Sequence, residues 1–194
     1  MNKNEFYSYI NKKFLIDIIE KNKIINQKNL ILYDYEINYI DIKNNKIRLG
    51  ITDFKDETIK QKIKQISNIS KFDIIDIRTI LQYNFDIQDI LKFISNMIGQ
   101  VGYIIGFVNV LTTINDNNID NISDTNVVSR FTKIENKNTL LDMKHFEKIL
   151  KQHNMILENS IPLNFIKDNF DVKLDSDYDF NGELFIIIKN NIST

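Results

Sequence analysis

The chain has 194 residues, 43% of them apolar, which is enough to bury the core of one domain and too much for a disordered polymer. A formal charge of −1 supplies no global positive field of the kind that drives non-specific nucleic-acid binding, so any RNA contact must be local. With no cysteine and only His145 and His153, disulfides, thiolate sites and cysteine nucleophiles are excluded and a histidine-rich metal site is disfavoured.

The first thirty residues lack a continuous apolar h-region, and no apolar run approaches a membrane span, so we expect a soluble, intracellular protein without a membrane partner. Ile, Asn and Lys are over-represented everywhere, as in the products of an AT-rich genome, and their bare counts carry little information.

In chain order, "FLIDII" (14–19) and "LILYDY" (30–35) are apolar runs consistent with buried strands, although the first equally continues a helix begun at Phe6. "IRLGITD" (47–53) suggests a third strand. In "DETIKQKIKQI", Ile59, Ile63 and Ile66 fall at helical spacing behind Asp56 and Glu57. "FDIIDI" (72–77) suits a strand covered on both faces. Asp86 is placed to cap a helix bearing Ile87, Ile90, Leu91, Ile94, Met97 and Ile98 on one side, with Gly99 as its stop. "YIIGFVNVL" (103–111) comes next as another strand, which gives a strand, helix, strand unit long enough for a parallel crossover.

Residues 112–126 are polar and of low complexity, the signature of a loop. Asp142 is expected to cap a helix carrying Phe146, Ile149 and Leu150, and strands are expected at "MILENSI" and at "ELFIIIK" (183–189). The alternation argues for a single α/β domain over 1–194, a sandwich around a mostly parallel sheet that ends antiparallel.

The run "KFDIIDIRTILQYNF" (71–85), with the helix and "GQVGYIIGFVN" after it, resembles class I S-adenosylmethionine-dependent methyltransferases. Within that group it looks most like the messenger RNA cap guanine-N7 methyltransferases of viruses and eukaryotes. There a strand ending "FDIID" leads to a shelf of the form Gln-Phe-x-x-His-Tyr-Ser-Phe. Arg78 stands at the family's Gln, Gln82 at its His, Tyr83 at its Tyr and Phe85 at its final Phe, so two of the four depart from the pattern.

The resemblance implies a Rossmann-like methyltransferase sandwich with a shortened N-terminal part, residues 1–29. It makes S-adenosylmethionine the cofactor to test. "LILYDYE" resembles the family's second strand, which would make Asp34 the acid on the cofactor's ribose; Asp53 and Phe54 would flank the adenine, and Arg78 would meet a carboxylate or phosphate. Gln82, Tyr83 and Phe85 would face the substrate, an RNA cap, at the strand end where open α/β sheets bind ligands.

The family's glycine-rich loop after its first, central strand has no counterpart, because no glycine precedes Gly50. "FLIDII" is the local segment left to fill that central slot, and only ten residues separate it from "LILYDY", too few for a crossover helix. Three readings are open. One is a non-catalytic stimulatory subunit, heterodimeric with a larger capping methyltransferase in a cytoplasmic, viral setting; another is an active methyltransferase of shortened architecture, acting on an RNA cap or a small molecule; the third is an unrelated α/β binding domain that shares only the strand and shelf pattern.

Each site residue also has a structural reading. Asp34 and Asp53 equally end strands or begin turns, and Asp73, inside an apolar run, equally caps a neighbouring loop. Asp76 in the same run must find a partner or shift its pKa. Arg78 more commonly pairs with a nearby acid, and aromatics placed like Tyr83 and Phe85 more often fill a core. His145 and His153, eight residues apart, do not form an i, i+4 metal pair and are expected at the surface.

Overall fold

The computed structural model describes residues 1–24, 28–34, 40–43, 46–51, 61, 71–82, 87–110, 140–170 and 172–191. Eight strands, β1 (Asn29–Asp34), β2 (Ile40–Lys43), β3 (Lys46–Ile51), β4 (Phe72–Arg78), β5 (Ile98–Val110), β6 (Leu140–Leu141), β7 (Met155–Pro162) and β8 (Glu183–Asn190), form one sheet. Its order is β2-β3-β1-β4-β5-β8-β7, with β6 paired to the end of β5. The β1–β3, β1–β4, β4–β5 and β5–β6 pairs are parallel, whereas β2–β3, β5–β8 and β7–β8 are antiparallel. This is the Rossmann-like α/β sandwich expected, with β8 as its antiparallel C-terminal strand.

Four described helices, α1 (Lys3–Asn22), α2 (Ile87–Ser95), α3 (Met143–Gln152) and α4 (Leu163–Asn169), cover the sheet from both sides. On one face α2 and α3 bury Ile87, Ile90, Leu91, Ile94, Phe146, Ile149 and Leu150 against Ile75, Ile77, Ile104, Val108, Ile186 and Ile188. On the other, Phe6, Ile10 and Ile18 of α1 and Leu163 and Ile166 of α4 pack on Ile74, Tyr103, Ile105, Phe107, Phe185 and Ile187. Successive residues of β4 thus alternate between two cores, which is why "FDIIDI" reads as continuously apolar.

"FLIDII" is helical, which corrects its candidacy for the first strand. Phe6, Ile10, Phe14 and Ile18 recur every fourth residue, so one stripe of α1 lies on the sheet. A capping box starts the helix: Asn2 Oδ1 accepts from the Glu5 N–H at 3.0 Å, and Glu5 Oε2 accepts from the Asn2 N–H at 2.8 Å. Lys23, left-handed at φ 52°, ends it, and its N–H bonds back to the Glu20 carbonyl.

The central slot is filled instead by β1, hydrogen-bonded to β3 on one side and β4 on the other. "LILYDY" is therefore a strand, but it lies in the first-strand position rather than the second. The second position belongs to β3. Between β1 and β3 the chain passes through edge strand β2, whose hairpin with β3 takes residues that a crossover helix would need.

Helix α2 stops at Ser95, short of the expected Gly99. Ser95 Oγ and Asn96 Nδ2 both donate to the Lys92 carbonyl, at 2.7 and 2.9 Å, and this closes the last turn. Met97 and Ile98 are buried nonetheless, and Ile98 already pairs with Phe72 as the first residue of β5. Asp142 caps α3 as expected, accepting from the Lys144 N–H at 2.9 Å. The helix expected around Ile59–Ile66, apart from Gln61, the Asp86 cap and the polar 112–126 loop lie outside the described residues.

Candidate functional site

The parallel strands β1, β4 and β5 end together, and in open α/β sheets that carboxyl edge is where ligands bind. At the exit of β4 the chain turns sharply: Arg78 has φ 47°, and a 3₁₀ turn, Ile80–Gln82, comes directly after. A non-glycine residue in the left-handed region costs about 1 kcal/mol or more and needs local support. Asp76 supplies it. Its Oδ1 accepts the Arg78 N–H at 2.9 Å, while Oδ2 lies 3.2 Å from Arg78 Nε. The opposing strand also yields, since a Cβ on Gly106, paired with Arg78, would lie 2.4 Å from Ile77 Cγ1 and 2.9 Å from the Arg78 carbonyl.

Helix α1 closes this edge with its N-terminal half. Asn11 Nδ2 lies 3.2 and 3.3 Å from the two Asp76 oxygens, and Arg78 Nη1 donates to Ser8 Oγ at 3.0 Å. A second polar anchor stands at the start of β8, where Lys3 Nζ meets Glu183 Oε1 at 2.6 Å and the Tyr7 hydroxyl donates to Glu183 Oε2. Asp76 is only 8% exposed, and burial pushes its carboxyl up from 3.8 to about 6, against the opposing pull of Arg78.

Of the residues picked from sequence, Asp34 closes β1 and Arg78 closes β4, so both stand at this edge. Arg78 takes the ion pair with a neighbouring acid that was its structural reading. Asp73 likewise accepts the Lys28 N–H at 2.8 Å, a loop cap. Gln82 ends the 3₁₀ turn; Asp53, Phe54, Tyr83 and Phe85 lie outside the described residues.

His145 and His153 are half-buried on α3 and at its C-terminal cap, and desolvation followed by nearby Lys92 lowers the His153 pKa. Among the described residues no group of three acidic, histidine or cysteine side chains could hold a metal, and no helix is long and apolar enough to cross a membrane. Ser8, Asn11 and Glu183 were missed by sequence reasoning. The signal for α1 lay in the Asn2–Glu5 box and the fourfold apolar spacing, but nothing local ties a helix residue to a strand end sixty-five positions away.

Residues 35–39 are Tyr, Glu, Ile, Asn and Tyr, and the next described element is strand β2. Close wrapping of a cofactor favours glycine backbone, and residues 35–39, which lie outside the described residues, contain none. No methyl-transfer step is therefore assigned to these residues.

No protein-family model matches the chain, and no curated protein matches it in sequence. Solved structures do match. A S-adenosylmethionine-dependent methyltransferase from Clostridium acetobutylicum aligns with 98% of this chain and 93% of its own, at 14% identity and a TM-score of 0.50. The mitomycin 7-O-methyltransferase MmcR aligns at 11% identity and a TM-score of 0.40 over 74% of this chain, which spans about a third (34%) of that protein. The phosphoethanolamine N-methyltransferase 1 of Haemonchus contortus aligns at 10% identity and a TM-score of 0.43 over 89% of this chain and 40% of its own. By the full-length match and the strand order, the chain has the fold of class I S-adenosylmethionine-dependent methyltransferases.

Proposed function

We propose that this chain is a methyltransferase-fold protein related to messenger RNA cap guanine-N7 methylation that acts as a non-catalytic, stimulatory partner of a larger catalytic subunit. The observation that carries the reading is the exit from the central strand. Where an active enzyme needs a glycine loop and a helix start, this chain has residues 35–39 without glycine and then an edge strand. The cap relation rests on the resemblance of 71–85. A partner of this kind works by binding selectively to the active state of the catalytic subunit, which shifts that state's population.

With β3 in the second-strand position, we assign the ribose acid to Asp53, two residues past its end at Ile51, rather than to Asp34. Gln82, Tyr83 and Phe85 keep the substrate-shelf role.

The test is a binding titration beside a reconstitution. The purified chain is expected to show no S-adenosylmethionine binding in the micromolar range, and to raise the rate of a capping methyltransferase with which it copurifies. Micromolar binding by the chain alone, abolished by Asp53→Ala or Asp34→Ala, would overturn the partner reading and establish an active enzyme.

A further inference from the structure

Asn181–Gly182 is the one asparagine–glycine pair in an asparagine-rich chain, and it lies at the entry to β8. Asparagine before glycine is the pair most prone to cyclise, because a residue without Cβ leaves its own backbone nitrogen unhindered and the peptide free to rotate. The Glu183 N–H donates to the Phe180 carbonyl at 2.9 Å, Gly182 has φ 75°, and Asn181 is not among the residues with positive φ, so Phe180–Glu183 is a type II turn. With ψ of about +120° at its second residue, such a turn holds the Gly182 nitrogen away from the Asn181 side chain.

Both ends of that side chain are tied down, although the residue is exposed. Its Oδ1 accepts from Asn164 Nδ2 of α4 at 3.1 Å, and its Nδ2 donates to Asp179 Oδ2 at 2.9 Å. Asn164 Oδ1 also accepts the Phe180 N–H at 3.2 Å, and Asp179 Oδ1 accepts the Asn181 N–H at 3.0 Å. Contacts of the carboxyl edge converge on the same turn. The Gly182 carbonyl accepts the Val110 N–H from the end of β5 at 2.6 Å, and Glu183 holds Lys3 and Tyr7 of α1.

We propose that Asn181 is a site of self-modification, kept intact by the turn and converted to aspartate and isoaspartate when the turn opens. Hydroxide takes the proton of the Gly182 N–H, and the nitrogen bonds to the side-chain carbonyl carbon of Asn181. The bond from that carbon to Nδ2 breaks, and ammonia leaves with a proton from water. A second water adds to either carbonyl of the succinimide ring and opens it.

The product does not fit the turn it left. A carboxylate at position 181 cannot donate to Asp179 and repels it, and isoaspartate adds one carbon to the backbone between Phe180 and Glu183, whose hydrogen bond closes the turn. The change is therefore one-way, and it loosens the β5 and α1 contacts that meet at residues 182 and 183. It is independent of the partner role and of S-adenosylmethionine.

The test follows the intact chain in mildly alkaline buffer, native and unfolded in guanidinium, by peptide mass mapping. In the unfolded chain Asn181 is expected to be modified ahead of every other asparagine. In the native chain its rate should be roughly tenfold lower, because opening of the turn must come first. Asn164→Ala, which removes the clamp from α4, should raise the native rate towards the unfolded one. Modified chain, separated by its added negative charge, should exchange the Val110 amide hydrogen faster than intact chain does. Equal rates in native and unfolded chains, another asparagine modified first on unfolding, an Asn164→Ala rate equal to the wild type's, or unchanged Val110 exchange would each overturn the proposal; the wild-type arms need no variant to fold.

Discussion

Replacing Asp76 by Asn tests the burial argument through stability alone. Because the carboxyl of Asp76 is raised from 3.8 to about 6 by desolvation, the native state holds its proton more tightly than the unfolded chain does. The stabilisation this gives is complete below pH 3.8 and is lost as pH rises through about 6. A shift of some two units at 1.36 kcal/mol each corresponds to about 3 kcal/mol in full, of which roughly 2 kcal/mol is lost between pH 4 and 7.

Asp76→Asn has no such titration. The attraction of the ionised carboxylate for Arg78 is already contained in that pKa, and the other carboxylates titrate alike in both proteins. Urea unfolding of the two proteins at pH 4, 5.5 and 7 should therefore show the difference moving in favour of Asn by roughly 2 kcal/mol, or about 1 M in midpoint. A difference constant to within about 0.5 kcal/mol would refute the claim that Asp76 is buried as a carboxylate.

Two further substitutions probe the parts that hold the edge in place. Phe6→Ala removes a fully buried ring of α1 that lies 5.1 Å from Phe180, and should cost about 3–5 kcal/mol in urea unfolding; a loss under 1 kcal/mol would mean that α1 does not dock on the sheet. Gly106→Ala puts a methyl group against the Arg78 carbonyl and Ile77, and should lower the thermal midpoint by several degrees while disturbing the NMR signals of residues 77–80 most. Signals changed no more there than elsewhere would show that the strand exit does not depend on this close approach.

The sheet was legible in the sequence wherever a strand was covered on both sides. Phe72–Arg78 and Glu183–Asn190 bury most of their residues and expose none, so apolar content alone betrays them. Helix α1 was ambiguous for the opposite reason: Leu15 and Ile19 pack beside its sheet-facing stripe, Ile16 lies off it at 43% exposure, and the fourfold spacing is blurred into a run. The slot of β1 could not be read locally at all. A strand's neighbours are settled by what remains to fill the gap, and once 14–19 became helix, 29–34 was the nearest strand available. The acid and the arginine on β4 were visible, but their partners, Asn11 for Asp76 and Ser8 for Arg78, lie 65 and 70 residues away and carry no signal of their own.

The position of β8 bears on the order in which the chain assembles. It is the last strand in sequence, yet it lies between β5 and β7 and is the strand through which β7 joins the sheet. During synthesis β7 therefore has no neighbour to pair with until residues 183–190 have emerged, and Phe107 and Ile105 lack the Phe185 and Ile187 that complete their face. Folding of the C-terminal half should be a late, concerted closure, and a chain stopped near residue 180 should leave two strand edges open to aggregation rather than lose one element.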